Sequence, residues 1–357
     1  MVIFWPVRRD HIGRSDVTVV TGFRGRMREI EFEAARAAIG ESIGSIRMRP
    51  FSIDSRRVGT NSASSKTMTE RLTWKKLLDA HAPLQLPAAH DALTAKLIKR
   101  AGFHAYQIGG FALAGARHGF PDVDLTRFAE QAAAVRDILS ACDLPVLVDA
   151  DDGYGDAKNV THTIRSYEAM GVAAVFIEDQ VSPKRCGHMM GKEVVPAQIM
   201  VERIEAAVAA RCSPDFFIVA RTDALGVEGM KSALTRGERY LKAGADGIYV
   251  EAPDTLEQLE EIAGAFNGVP QMTNMFDGDD QTPWLTPVEL RALGFSMILY
   301  PTSLLFRAVR AIERGLADLR QGKRMAQEDG VQLTQFEEMV DLAAWATIEK
   351  RFGARQR

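Results

Sequence analysis

The 357-residue sequence predicts a (β/α)8 barrel with additional C-terminal helices. Two observations point to it: β-rich apolar runs alternate with amphipathic stretches, and there are eight such runs. Strands separated by helices pair in parallel, because each strand must return through a crossover. Eight units over roughly 220 residues match a closed barrel, whereas a doubly wound sheet more often has five or six strands.

The runs are Leu84 to His90, Ala105 to Gly110, Pro145 to Asp152, Ala174 to Gln180, Phe217 to Ala224, Gly247 to Pro253, Val269 to Met275 and Ser296 to Pro301. Between them, Asp124 to Ser140, Ala157 to Met170, Ala197 to Arg211, Gly229 to Lys242, Thr255 to Phe266 and Pro287 to Leu293 repeat their apolar residues at helical spacing. Gly102, Gly171, Gly244 and Gly294 each stand between a helix and the next strand, as left-handed helix stops. The barrel is expected over residues 68–325. A helical segment over 326–357, including Leu333 to Arg351, is expected to pack on the barrel or on a neighbouring subunit.

Residues 1–67 are Arg-rich, weakly periodic and end in a polar run from Gly59 to Thr67, which reads as a poorly ordered extension. A biological start at Met68 is the alternative. An organelle transit peptide is disfavoured by Glu29, Glu31, Glu33 and Glu41.

Composition narrows the function classes. A net charge of -3 gives no reason to expect nucleic acid or an anionic membrane as partner. No apolar run approaches the roughly 20 residues of a spanning helix. Three widely spread cysteines, Cys142, Cys186 and Cys212, suggest neither a disulfide framework nor a zinc site, and a reducing cytoplasm is the expected setting.

The chemistry gathers where the strands end. Charges are expensive inside a parallel barrel and collect at its C-terminal rim, where active sites form. Here the runs end in Asp149-Ala150-Asp151, Glu178-Asp179-Gln180, Arg221-Thr222-Asp223, Glu251 and Asn274. Asp149 and Asp151 are two apart, so strand alternation aims both the same way. With Glu178 they form an all-oxygen set suited to Mg2+, and Mn2+ also fits. The alternative is a structural network in which these acids pair with Arg221 and Lys184. Gly109-Gly110 would let backbone N–H groups approach an anion, or simply make a tight turn.

After the fourth strand comes Ser182-Pro183-Lys184-Arg185-Cys186-Gly187-His188-Met189-Met190-Gly191-Lys192-Glu193, which reads as a long mobile loop able to act as a lid. Lys184, Arg185 and His188 make the setting of Cys186 electropositive, which is expected to lower its pKa.

Lys184-Arg185-Cys186-Gly187-His188, Ile177-Glu178-Asp179-Gln180, Asp149-Ala150-Asp151 and Gly153-Tyr154-Gly155 together resemble the isocitrate lyase / phosphoenolpyruvate mutase superfamily. The nearest branch is that of the 2-methylisocitrate and 2,3-dimethylmalate lyases, and the resemblance covers roughly residues 72–325. It implies a Mg2+-dependent lyase that cleaves a branched 2-hydroxy di- or tricarboxylate to a 2-oxo acid such as pyruvate. Asp149 and Asp151 would hold the metal, largely through waters, with Glu178 and Asp122 nearby. Gly109 and Gly110 would donate to a substrate carboxylate, and Arg221 would clamp the 2-oxo acid.

On the same grounds Cys186 would be the general acid of the lid, flanked by Lys184 and His188. Gly187, His188, Glu251 and Asn274 would surround the other fragment. Arg307 is expected as a second carboxylate clamp, and Tyr106 as the base. Ile108 stands where these lyases carry a small hydroxyl residue, which points to a different substrate. The alternatives are an oxaloacetate decarboxylase or hydrolase, and a carboxyphosphonoenolpyruvate-type phosphonomutase. The resemblance further implies a homo-oligomer, a dimer of dimers.

Overall fold

Eight short parallel strands form one sheet: β1 (Leu84–Pro87), β2 (Tyr106–Ile108), β3 (Val146–Asp149), β4 (Ala174–Glu178), β5 (Phe217–Thr222), β6 (Gly247–Val250), β7 (Gln271–Asn274) and β8 (Met297–Tyr300). From β2 to β8 each strand pairs with its neighbours in sequence, and β1 pairs with β8. The ring closes where Ala88, just past β1, bridges Gln107 of β2. This computed structural model describes residues 73–278 and 283–353. The extension expected over residues 1–67 lies outside the described residues.

Strand alternation builds two separate cores. Val148, Val175, Ile177, Ile218, Ile248 and Ile298 face the surrounding helices. Leu86, Leu147, Phe176, Val219, Tyr249 and Met272 belong to the second cluster, which fills the barrel. Helix α1 (Trp74–His81) contributes Trp74, Leu77 and Leu78 to that inner cluster, and the Trp74 indole points at Met297 Sδ, 3.5 Å away. Thr73 caps α1 by accepting from Lys76 N–H.

The helices follow in order: α2 (Ala92–Arg100), α3 (Phe128–Ala141), α4 (Ala157–Met170), α5 (Ala197–Ala210), α6 (Met230–Lys242), α7 (Leu256–Ala265), α8 (Pro287–Leu293), α9 (Ser303–Arg320), α10 (Leu333–Met339) and α11 (Leu342–Phe352). The four predicted helix-stop glycines all have positive φ, between 88° and 118°. Helix α3 starts later than its periodicity suggests, because Asp124 turns with φ 65° and Glu130 caps the backbone of Arg127. The stretch from Leu333 to Arg351 is two helices and not one, broken at Asp341 with φ 58°. Its first half lies against α2 through Arg100–Glu338 and Lys96–Asp341 ion pairs.

Every strand is shorter at its C-terminal end than its apolar run suggests. The last residues of the runs leave the ladder and form the rim. Among the described residues no helix is long and apolar enough to cross a membrane.

Candidate active site

The C-terminal rim brings six carboxylates together: Asp122, Asp151, Glu178, Asp223 and Glu251, all buried, and the half-buried Asp149. Three cations face them: Lys184, Lys192 and Arg221. Lys184 Nζ lies 2.6 Å from Asp122 Oδ1 and 2.7 Å from Asp151 Oδ1. Arg221 reaches Asp223 (2.9 Å), Glu178 (3.2 Å) and Glu251 (3.6 Å), and its guanidinium sits over the rings of Phe176 and Tyr249.

Six acids against three bases leave an excess of negative charge in a buried setting. Burial accordingly pushes the carboxyls of Asp149 and Glu178 upward against the pull of Lys184 and Arg221, and raises Asp151 to about 7. Asp223 goes the other way, to about 2, because Arg221 and Lys192 both bind it and outweigh its burial.

Asp149 stands on β3 and accepts from the backbone N–H groups of Gly110 and Asp151. Asp151 reaches the site through a left-handed turn, φ 48°, after the strand has ended, and not through strand alternation. The β5 end is fixed from below. Asp179 accepts from Asp223 N–H (2.9 Å), Thr222 Oγ1 (2.8 Å), Tyr240 OH (2.7 Å) and Arg236 (3.3 Å).

The carboxylate donor set suits a hard divalent cation, and Glu178 Oε1 is buried without a hydrogen-bond partner. Among the described residues no three ligating side chains converge on one point.

The loop expected to be mobile is folded down over this site. Its base is pinched by the Gln180–Val194 bridge and by Val181 N–H to Glu193 O. The Gln180 amide grips the backbone of Arg185 in both directions, Cys186 N–H donates to Asp122 O, and Lys192 ties Gly187 O to Asp223. His188 stacks on Phe276 at 4.1 Å and contacts Asn274 at 3.0 Å. Closed in this way, the loop roofs a small cavity of about 50 Å3.

The setting of Cys186 is the reverse of the one expected. Lys184 is neutralised by Asp122 and Asp151, while Arg185 is exposed. Burial, with Asp122 next, pushes the thiol up to about 12. At neutral pH it stays protonated.

A protein-family model described as phosphoenolpyruvate phosphomutase matches residues 74–320. The chain belongs to this family. It is 44% identical over 245 residues to the 2,3-dimethylmalate lyase of Eubacterium barkeri, covering 69% of this chain and 82% of that protein. It is 43% identical over 234 residues to the 2-methylisocitrate lyase of Vibrio cholerae serotype O1, covering 64% and 75%. Among solved structures, oxaloacetate acetylhydrolase in complex with 3,3-difluorooxalacetate matches at TM-score 0.74 and 29% identity, over 79% of this chain and 96% of that one. A 2,3-dimethylmalate lyase, described as a PEP mutase/isocitrate lyase superfamily member, matches at 0.73 and 30%, over 78% and 94%.

Eleven of the predicted site residues line the cavity: Gly109, Asp122, Asp149, Glu178, Lys184, Cys186, Gly187, His188, Arg221, Glu251 and Asn274. Gly110 and Asp151 adjoin it through Asp149 and Lys184. Tyr106 and Ile108 do not line it. Both belong to the cluster under the helices, because residues 106 and 108 share one face of β2 and Gln107 takes the other. Ile108 and the expected base Tyr106 thus pack on the helix-facing side of β2, apart from the residues that line the cavity. Arg307 also stands apart: its side chain is 68% exposed and pairs with Asp277 at 3.0 Å.

Gln107, Phe111 and Phe276 are cavity residues that the sequence reading missed. Alternation backward from Gly109 finds Gln107, and forward from Asn274 finds Phe276. Lys192 and Asp223 were overlooked because one sits at the far end of the lid and the other two residues past Arg221.

Gly187 is where the lid meets the floor. A β-carbon there would sit 2.5 Å from Arg221 Nη2 and closer still to Glu251. Gly187→Ala should therefore hold the loop open, and trypsin should cut after Lys184 and Arg185 at least tenfold faster than in the parent chain. Equal cleavage rates would show that closure does not need the glycine.

Proposed function

We propose that the chain is a Mg2+-dependent carbon–carbon lyase acting on a branched 2-hydroxy di- or tricarboxylate and releasing a 2-oxo acid such as pyruvate. One observation carries this reading: Cys186, on a lid folded over the rim, lines the same small cavity as the carboxylates of Asp122, Asp149, Glu178 and Glu251. The 2,3-dimethylmalate and 2-methylisocitrate lyases among its relatives support it.

Asp149, Asp151 and Glu178 are the residues that would hold Mg2+. The ion would supply positive charge beside the forming 2-oxo acid. Arg221, locked by Asp223, Glu178 and Glu251, orients the oxo-acid carboxylate, with the backbone at Gly109 and Gly110 beside it. Cleavage needs the hydroxyl proton removed, and the basic groups in the cavity are its buried carboxylates. The C–C bond electrons pass to the second fragment, bounded by Gly187, His188, Glu251 and Asn274. Cys186 then gives its proton to that carbon. A raised thiol pKa suits this role, since the acid must keep its proton until the bond breaks.

Cys186→Ser should lower turnover at least 100-fold in a Mg2+-containing assay that couples released pyruvate or oxaloacetate to a dehydrogenase, run over methylisocitrate, alkylmalates and oxaloacetate. Unchanged turnover of every cleaved substrate would remove the thiol from the mechanism. The likeness to oxaloacetate acetylhydrolase favours one second reading, hydrolysis of oxaloacetate, and the same screen separates the two by product.

We further propose a homo-oligomer, a dimer of dimers, with the cytoplasm as its compartment. Helices α9 and α11 leave Ile312, Leu316, Leu319, Trp345 and Phe352 between 61% and 71% exposed, an apolar surface that a second copy would cover. Light scattering should give a multiple of the chain mass. A monomer would contradict this.

A further inference from the structure

Opposite its charged floor the cavity has an aromatic wall. Phe111, just beyond Gly109 and Gly110, and Phe276, two residues past Asn274, both line it. Phe306 stands against both, and the three rings meet edge to face with centroids 6.0 to 6.4 Å apart. This is a packed apolar surface and not a gap between polar groups.

The two buried cations of the cavity are committed to acids, and His188, which stacks on Phe276, is engaged with Asn274. Lys184 is held by Asp122 and Asp151, and Arg221 by three acids. Arg307, expected to bind a further carboxylate, turns outward to Asp277. A carboxylate set against these rings would lose its water, whereas an alkyl group would gain by leaving water there.

One neutral donor does face the cavity. Gln107 is 1% exposed, and its Nε2 has no hydrogen-bond partner. A buried amide N–H left unmade is expensive, so a site containing one is built for an acceptor that arrives with the ligand.

We infer that Phe111 and Phe276 form an apolar subsite for an alkyl substituent, and that Gln107 donates to a substrate oxygen. The inference rests on the lyase reading above and narrows it to alkyl-substituted malates. The single turn from Gly109 to Phe111 and the strand residue before it then set the specificity, while the acids and Arg221 serve the part common to all substrates.

The test compares kcat/KM for 2,3-dimethylmalate and 2-methylisocitrate with Mg2+ present. The parent chain should favour the alkylmalate at least tenfold. Phe111→Arg should move that ratio at least tenfold toward the tricarboxylate, and Phe111→Ala, the milder variant, should weaken the preference in the same direction. Gln107→Leu should raise KM for the alkylmalate about tenfold with a smaller change in kcat. A parent preference for the tricarboxylate would overturn the inference, as would a ratio unmoved by both Phe111 variants or a KM unmoved by Gln107→Leu. If the parent cleaves neither acid, the lyase reading fails instead. The subsite is then judged by calorimetric Kd values for the same two acids on Cys186→Ser protein, with the same tenfold preference expected and its absence contradicting the inference.

Discussion

Everything at the rim depends on one electrostatic constraint: more buried carboxylates than buried cations. A buried charge is tolerated only when paired, and Lys184, Lys192 and Arg221 pair with most of the six acids. The excess shows as the raised carboxyls of Asp149, Asp151 and Glu178, where burial outweighs the pull of Lys184 and Arg221. Such an arrangement is costly for stability, and under the proposed reading a bound dication would relieve it.

The surrounding structure exists to hold that cluster still and dry. Asp179, saturated by Asp223, Thr222, Tyr240 and Arg236, fixes the β5 end so that Arg221 cannot swing away. The lid completes the enclosure by spending its own polar groups on the floor: Cys186 N–H on Asp122, Lys184 on two acids, Lys192 on Asp223. A loop anchored this way can close only when those acids are present, which links the lid to the charged floor without any direct contact between Cys186 and the metal-binding set.

The barrel itself was legible because its signal is periodic and repeated eight times. The rim acids were legible too, since charges at the ends of buried strands have no other place to go. What sequence could not show is which face of a three-residue strand looks inward. On β2 it is Gln107 that looks inward while Ile108 and Tyr106 face the helices, an orientation fixed by pairing with Val146, Leu147 and Val148 of β3 about 40 residues away. The thiol of Cys186 was misjudged for a related reason. Its neighbours in sequence are positive, but Lys184 is claimed by acids from elsewhere, so burial and Asp122 decide its proton. Arg307 likewise found a partner, Asp277, outside the cavity.

The most direct test of the electrostatic account is calorimetric titration of the chain with oxalate, in Mg2+ and in EDTA. The account predicts at least 100-fold tighter oxalate binding with Mg2+, and a large loss of that difference in Glu178→Gln. Equal affinity in the two buffers would show that the carboxylate cluster is balanced by its own lysines and arginine, and would contradict the central claim.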